Sequence, residues 1–466
     1  MRVADPATAP AVAIVTLGCG RNDVDTDQVG GALSAAGYRV VDEPDEADCV
    51  LVNTCTFIEP ARAESVDTVL AATELGAPVL VMGCMAERYG SELGDALPEV
   101  AGVVGFKGYA RLPELVAEAV GLASPPRPVT SGAVAGPGGD PETMLPLVAP
   151  APGAPPTAAF PVRTVPRGPW AYLKLAGGCD RACTFCTIPS YRGSFASRPV
   201  EEVVAEARWL AEHGAAELVC VSENTTSYGK DLPAGRAAQL ELLDALATID
   251  GLERVRLMYL QPDEVGVDLL EVMAANPVVA PYYDLSLQHA SPRIVRAMAR
   301  GGGEQSYLEL IDDIRARDPQ AVFRSSFIVG FPGETDEDVA VLERFLTSAA
   351  LDWVGFFPFS LEDGTASASL PDQVPHDEAR ARRDHLVSVA ESVAEDRAES
   401  FVGRTLEVLV ETSAEGQVVG RSYREAPETD GEVTVRGCQV PAGRWVAARI
   451  TATDGIDLLG EPAAPR

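Results

Sequence analysis

Residues 170–186 read WAYLKLAGGCDRACTFC, and this stretch decides the fold. Residues 171–175 have the apolar character of a short strand, and Gly177-Gly178 open a loop behind it. The loop carries Cys179, Cys183 and Cys186 in a C-x3-C-x2-C pattern. Three closely spaced thiolates suit a 4Fe–4S cluster and leave one iron without a protein ligand. An open metal position is where a reacting ligand binds, as open zinc sites illustrate. A structural zinc site would take four ligands in paired C-x2-C spacing, and no fourth Cys or His lies nearby in sequence.

Toward the C-terminus, strand and helix patterns alternate to about residue 400. Strands are predicted over 217–221, 254–259, 283–287, 321–329 and 353–359. Helices are predicted over 200–212, 240–247 and, strongly charged, 379–401. About six βα units within 170–400 predict a full or partial βα barrel. Residues 401–466 differ: short strands over 406–411, 417–423, 431–435 and 445–451, separated by glycine-containing turns, predict a small all-β barrel.

Toward the N-terminus, residues 121–169 hold 13 of the 36 prolines and no core-building period, which predicts a linker. Before it, apolar runs at 11–16, 49–52, 79–82 and 103–104 alternate with helical patterns at 25–37, 59–75 and 112–120. That alternation predicts an α/β domain with a parallel sheet over 11–120. Cys19, Cys55 and Cys84 each directly follow one of its first three apolar runs. Ligands of open parallel sheets collect at the carboxyl ends of strands, which lets three thiols converge on one rim. Three buried structural cysteines are the alternative reading of the same placement. Cys49 begins its strand and faces the other end, while Cys220 and Cys438 lie in apolar strand contexts. All three read as inert small hydrophobes.

The 466 residues carry a formal net charge of −32. That disfavours a generic nucleic-acid binder, which needs a basic surface, and favours a soluble chain or one whose macromolecular partner is basic. The excess is uneven: the last 66 residues, 401–466, contribute only −3. No apolar run approaches the ~20 residues of a membrane span. The first ten residues include Asp5 and lack a basic start, so no export signal is expected. With nine cysteines and no export signal, metal or redox use is favoured over a disulfide framework, and a cytoplasmic setting is expected.

The cysteine run resembles the radical S-adenosylmethionine (SAM) superfamily. The resemblance implies that SAM chelates the open iron and is cleaved by one-electron reduction to give a 5′-deoxyadenosyl radical. Phe185 fits the aromatic placed before the third cysteine, near adenine; a core aromatic is the plainer reading. Residues 324–334, RSSFIVGFPGE, resemble the superfamily's late strand and turn, which implies Ile328 and Gly330 beside adenine and Glu334 in the turn. Gln288-His289 lies at a strand end and is placed in the same cavity, although a structural histidine explains His289 as well.

Leu17-Gly18-Cys19, Asn53-Thr54-Cys55 and Gly83-Cys84 extend the resemblance to the methylthiotransferases of that superfamily. This implies a second 4Fe–4S cluster on Cys19, Cys55 and Cys84, and a TRAM domain, OB-like, in the tail. It also implies that sulfur is inserted into an unactivated C–H bond and methylated, with both cysteine rims facing one closed cavity. Residues 17–27 (LGCGRNDVDTD), 174–199, 284–291 (DLSLQHAS) and 420–433 (GRSYREAPETDGEV) are similar to the members that modify a protein rather than transfer RNA. The implied substrate is the basic small-subunit ribosomal protein numbered twelve, on the β-carbon of one aspartate. A low-potential electron donor and a sulfur source are implied as further partners. Two segments depart from the pattern: Gly20-Arg21 stands for Pro-Lys, and Ser222-Glu223-Asn224 stands for a Gly-Gln-Asp-like turn. Asp23, Asp25 and Asp27 read either as a substrate-facing acidic edge or as a solvated helix start. A transfer-RNA adenosine is the alternative substrate, but an RNA-binding tail should be basic, and this one holds no lysine.

Overall fold

The computed structural model describes residues 9–126 and 163–463, so most of the proline-rich segment predicted at 121–169 lies outside the described residues. The chain forms two compact units. The first runs to Val165 and adds Gly178–Asp180 and Thr187–Glu202; the second takes Pro166–Gly177, Arg181–Cys186 and everything from Val203 on. The segment after Cys186 therefore packs with the first unit, a division that no composition change marks.

In the first unit, β1 (Ala11–Thr16), β2 (Arg39–Val41), β3 (Cys49–Thr54), β4 (Val79–Gly83) and β5 (Gly102–Val104) form one parallel sheet in the order β2-β1-β3-β4-β5. The helices are α1 (Gly20–Ala35), α2 (Glu59–Glu74), α3 (Cys84–Ala96) and α4 (Leu112–Ala119). Alternate strand residues feed opposite faces. Leu51, Leu80 and Met82 pack with Val29 and Leu33 of α1 and Val116 of α4. Val50, Val52, Val79 and Val81 pack with Val69 of α2 and Met85 and Leu93 of α3. Continuous apolar strands are what two covered faces require. In this strand order the connections reverse direction between β1 and β3, which opens a crevice at their carboxyl ends.

Three details depart from the sequence reading. Helix α1 begins at Gly20 rather than at residue 25, because Cys19 occupies the N-cap position without a capping side chain. The edge strand β2 escapes notice because it is three residues long and half exposed. Helix α3 starts immediately at Cys84, and its pattern is broken by a kink at Gly90.

The second unit begins with β6 (Trp170–Lys174) and the two-residue strand β7 (Ala176–Gly177). Between Cys186 and the rest of this unit come α5 (Ile188–Arg192) and β8 (Ala196–Ser197), and then α6 (Val200–Glu212). Five further barrel strands follow: β9 (Glu217–Val221), β10 (Arg254–Leu257), β11 (Tyr282–Asp284), β12 (Val322–Val329) and β13 (Trp353–Pro358). All pairs are parallel: β6-β9-β10 form one sheet and β11-β12-β13 another, joined by a parallel bridge between Leu260 and Leu285. The helices between them include α7 (Ala237–Leu246), α8 (Val267–Ala275), α9 (Pro292–Ala297), α10 (Glu304–Arg317) and α11 (Asp336–Ala349). This is the partial barrel that the βα count predicts.

Helix α12 (His376–Glu399) leads to a closed barrel of β14 (Thr405–Ala414), β15 (Gln417–Arg421), β16 (Val433–Arg436), β17 (Trp445–Asp454) and β18 (Asp457–Pro462). The last strand was not among those predicted. The loop between β15 and β16 docks on the amino-terminal part of the larger barrel. Trp353 Nε1 donates to the Arg424 carbonyl at 2.7 Å, Tyr282 Oη donates to Asp430 at 2.6 Å, and Tyr172 Oη donates to Glu428 at 3.0 Å. Arg254 and Arg256 donate to the carbonyls of Ser422 and Tyr423 at 2.8 and 2.9 Å. Strands from across the barrel thus hold one tail loop, at the end opposite the cysteine loop.

Candidate active site

The first unit brings Cys19, Cys55 and Cys84 to one rim, at the ends of β1, β3 and β4. One side chain ties the three strand ends together: Asn22 Nδ2 faces the Leu17 and Thr54 carbonyls at 2.7 and 3.3 Å, and Cys84 Sγ lies 3.7 Å from Asn22 Oδ1. Two glycines make the convergence possible. Gly18 has φ +104°, and a Cβ there would stand 3.0 Å from Cys55 Sγ. Gly83 has φ +94°, and a Cβ there would stand 2.4 Å from Asn53 Oδ1. Each glycine thus lets the next residue, a cysteine, come down against the end of β3.

Burial raises the Cys55 pKa and pushes the Cys84 thiol up to about 11. Arg192 opposes this at Cys84, where its Nη2 donates to Sγ at 3.0 Å. Asn22 orders the rim from below: its Nδ2 donates to the Leu17 carbonyl at 2.7 Å and its Oδ1 accepts from Arg192 at 2.9 Å. Among the described residues, no three His, Cys, Asp or Glu side chains converge as ligands of one metal ion. Three cysteine thiols on one rim are the donor set that a 4Fe–4S cluster with one open iron takes. Cys49 and Cys220 are buried in the core, and burial pushes both thiols up to about 12, as inert cysteines require, whereas Cys438 lies half-buried just past β16 rather than in a strand.

Asp25 and Asp27 do not form an open acidic edge. Asp25 is buried, 3.3 Å from Arg192, and Asp27 binds Arg163 at 2.5 Å and Thr164 at 2.7 Å.

In the second unit, Cys183 and Cys186 lie in a loop stitched to its surroundings. Thr184 N–H donates to the Met298 carbonyl at 3.1 Å, and Thr184 Oγ1 donates to the Ala297 carbonyl at 2.9 Å. Arg181, between Cys179 and Cys183, pairs with Asp263 at 2.8 Å and Glu264 at 2.5 Å. Burial would raise the Glu264 pKa, but hydrogen bonds from Ser227 and Asn224 and the Arg181 charge outweigh it and hold the carboxylate ionised. The departing turn at Ser222-Glu223-Asn224 therefore joins the anchor of the cysteine loop through Asn224, 2.9 Å from Glu264. Arg300 Nη1 stands 3.5 Å from Cys183 Sγ, and its Nη2 donates to Gln261 at 2.5 Å.

Phe185 and Ile328 pack in one apolar cluster around Ile294, Met298 and Phe331. Gln288 lies in the left-handed region at φ 68°, and its backbone bridges Ser326 and Ile328 of β12 at 3.0 and 2.8 Å. Gly330 has φ +79°, and a Cβ there would meet Ala379 at 2.3 Å, so helix α12 takes the space. Glu334 turns inward: Oε1 accepts from Gly330 N–H and Arg382 Nη1, each at 3.0 Å. His289 is fully buried, with Nδ1 accepting the Ser291 N–H at 2.9 Å and Nε2 at 3.3 Å from Glu334 Oε2, short in distance but not aligned as a hydrogen bond. His289, Gly330 and Glu334 thus form one buried bracket behind the strand that carries Ile328.

Arg192 falls in the family-like segment 174–199 but carries no assigned role there, and Arg300 and Glu264 lie outside every motif read from the sequence. The first two reach their sulfurs from 108 and 117 residues away along the chain, a separation that leaves no local signal.

Three family models match the chain: an uncharacterized protein family, UPF0004, over residues 11–105; the radical SAM superfamily over 173–346; and the TRAM domain over 402–462. The ribosomal protein uS12 methylthiotransferase RimO of Streptomyces coelicolor is 46% identical, with 97% of this chain and 96% of that protein covered. The RimO proteins of Kineococcus radiotolerans, at 46% identity with 98% of each chain covered, and Acidothermus cellulolyticus, at 44% with 97% and 95% covered, are similar throughout. Among solved structures, the radical SAM methyltransferase TsrM of Kitasatospora setae shares the fold, with a TM-score of 0.52 at 16% identity over 91% of this chain and 82% of that one. With near-full-length identity at this level, the chain belongs to the RimO family of radical SAM methylthiotransferases.

Proposed function

We propose that this chain adds a methylthio group to the β-carbon of an aspartate in ribosomal protein uS12. The observation that carries the reading is the rim of Cys19, Cys55 and Cys84 in a chain that also holds the C-x3-C-x2-C run, within a family of uS12 methylthiotransferases. Cys179, Cys183 and Cys186 would hold one 4Fe–4S cluster, and Cys19, Cys55 and Cys84 would hold the other. With SAM, these groups would supply hydrogen abstraction from the substrate carbon, the sulfur and the methyl group.

The protein's own residues do the positioning. Arg181, clamped by Asp263 and Glu264, fixes the cysteine loop on the β10–α8 connection. Phe185 and Ile328 present an apolar wall for adenine, backed by the Gly330, Glu334 and His289 bracket, with Gln288 beside them. Apolar packing there keeps water from a carbon radical. The tail loop, held by Tyr172, Tyr282 and Trp353, closes the opposite end of the barrel.

A low-potential electron donor and a sulfur source complete the reaction. The protein acts in the cytoplasm, where its basic substrate is made; no described helix is long and apolar enough to cross a membrane. The test offers anaerobic, reconstituted protein both uS12 and transfer RNA, with SAM and reductant. Methylthio label on uS12 alone supports the reading, and label on transfer RNA alone contradicts it.

A further inference from the structure

Arg192 closes α5, six positions after Cys186, yet its side chain serves the other cysteine set. The guanidinium is held on every side. Nη2 donates to Cys84 Sγ at 3.0 Å and to Asn22 Oδ1 at 2.9 Å, and Nη1 lies 3.3 Å from Asp25 Oδ2. Its plane stands over the Phe106 ring, 4.6 Å from the centroid. The Arg192 and Asp25 side chains are each only 7% exposed. A guanidinium in water would pair loosely, whereas this one is desolvated, stacked and pinned by a carboxylate, so its charge acts on the sulfur in a poorly screening environment.

The consequence follows from charge. Reducing a cluster held by thiolates adds an electron to a centre that is already anionic. A buried cation donating N–H to a ligand sulfur stabilises the reduced form more than the oxidised one, because hydrogen bonds to sulfur and net charge are among the levers that set cluster potentials. We propose that Arg192 is a positioning residue of the N-terminal cluster, donating to the Cys84 thiolate and raising the cluster's reduction potential. The inference rests on the reading of Cys19, Cys55 and Cys84 as cluster ligands. It links the two cysteine sets through sequence, since the segment that follows Cys186 ends on a ligand of the other set.

Asp25 gives the inference a second handle. Its carboxylate shares the Arg192 charge with the sulfur, so neutralising Asp25 leaves more of that charge for Cys84. Removing the charge at position 192 and removing its competitor at position 25 should therefore move the potential in opposite directions.

The experiment uses the full chain carrying Cys179→Ala, Cys183→Ala and Cys186→Ala, reconstituted anaerobically with iron and sulfide, so that one cluster remains. Iron content and a potentiometric titration followed by electron paramagnetic resonance are measured for this parent and for added Arg192→Gln or Asp25→Asn. We expect a more negative midpoint with Arg192→Gln and a less negative one with Asp25→Asn, at equal iron content. Unchanged midpoints with equal iron overturn the role of Arg192 and leave the ligand reading standing. A parent that binds no iron overturns the ligand reading, and this inference with it. If Arg192→Gln fails to hold iron, Asp25→Asn decides: a less negative midpoint supports the inference and an unchanged one overturns it.

Discussion

Arg256 Nε donates to Glu217 Oε1 at 3.0 Å, and neither side chain has any solvent exposure. Glu217 also accepts from Arg421 of the tail barrel at 2.9 Å, with Arg254 at 3.6 Å. One carboxylate on β9 thus neutralises guanidinium groups from the larger barrel and from the tail. Replacing it with Gln leaves buried cations without a counter-charge, which typically costs about 3–5 kcal/mol. We expect Glu217→Gln to lower the unfolding free energy of the full chain, measured by denaturant titration, by that amount; a change within error contradicts the role.

The same pair gives a pH dependence. Burial alone would raise the Glu217 pKa, but Arg421, Arg256 and Arg254 outweigh it and bring it down to about 2. A depressed carboxylate stabilises the fold above its unfolded pKa and loses that contribution as pH falls through the folded value. Stability should therefore fall between about pH 4.5 and pH 2 in the wild type, and this component should vanish in Glu217→Gln, as measured by thermal melts across that window.

Asp430 runs the other way. Burial raises it to about 6, against the pull of Arg324 and the Tyr282 hydroxyl. A raised carboxyl contributes stability that is fully present below its unfolded value, near 3.8, and is lost as pH rises through about 6. Asp430→Asn keeps an acceptor for the Tyr282 hydroxyl and removes the charge. Its melting temperature should lack the decline between pH 4 and 6 that the parent shows; an identical pH profile contradicts the assignment.

Gly18 tests the thiol rim by shape alone. Alanine there must hold φ +104° and place its Cβ 3.0 Å from Cys55 Sγ. The strain costs about 1–3 kcal/mol, and the displaced Cys55 should cost the N-terminal cluster. Gly18→Ala should lose about half the iron while still cleaving SAM. Full iron content would show that the rim tolerates the shift.

The net charge of −32 predicts salt-sensitive recognition of a basic protein. Raising ionic strength should raise KM for uS12 and leave SAM cleavage without substrate unchanged. A KM that does not respond to salt would separate the acidic surface from substrate capture.

The strands were legible because a sheet covered on both faces demands unbroken apolar runs, as in Val50–Val52 and Val79–Met82. Helix starts were less legible. Cys19 and Gly83 cap α1 and α3 with no side-chain hydrogen bond, so the usual Ser, Thr or Asp signal is missing. The six cysteines stood out because spacing and strand ends are local properties of sequence. Arg192 stood in a family-like segment without a role, and Arg300 and Glu264 did not stand out, because what makes all three matter is tertiary: a sulfur or a guanidinium brought close by the fold. The acidic run at Asp23, Asp25 and Asp27 shows the converse: it reads as an acidic edge or a solvated helix start, and only Asp23 lies in the first turn of α1, while Asp25 forms a buried ion pair.

The most direct measurement is mass spectrometry of uS12 after anaerobic turnover by the wild type, Cys55→Ala and Cys183→Ala, with 5′-deoxyadenosine quantified in the same samples. The account predicts a methylthio group on one aspartate with the wild type alone. It also predicts 5′-deoxyadenosine from the wild type and Cys55→Ala, and none from Cys183→Ala. Methylthiolated aspartate produced by Cys55→Ala, or SAM cleavage surviving in Cys183→Ala, would contradict the division of labour between the two cysteine sets.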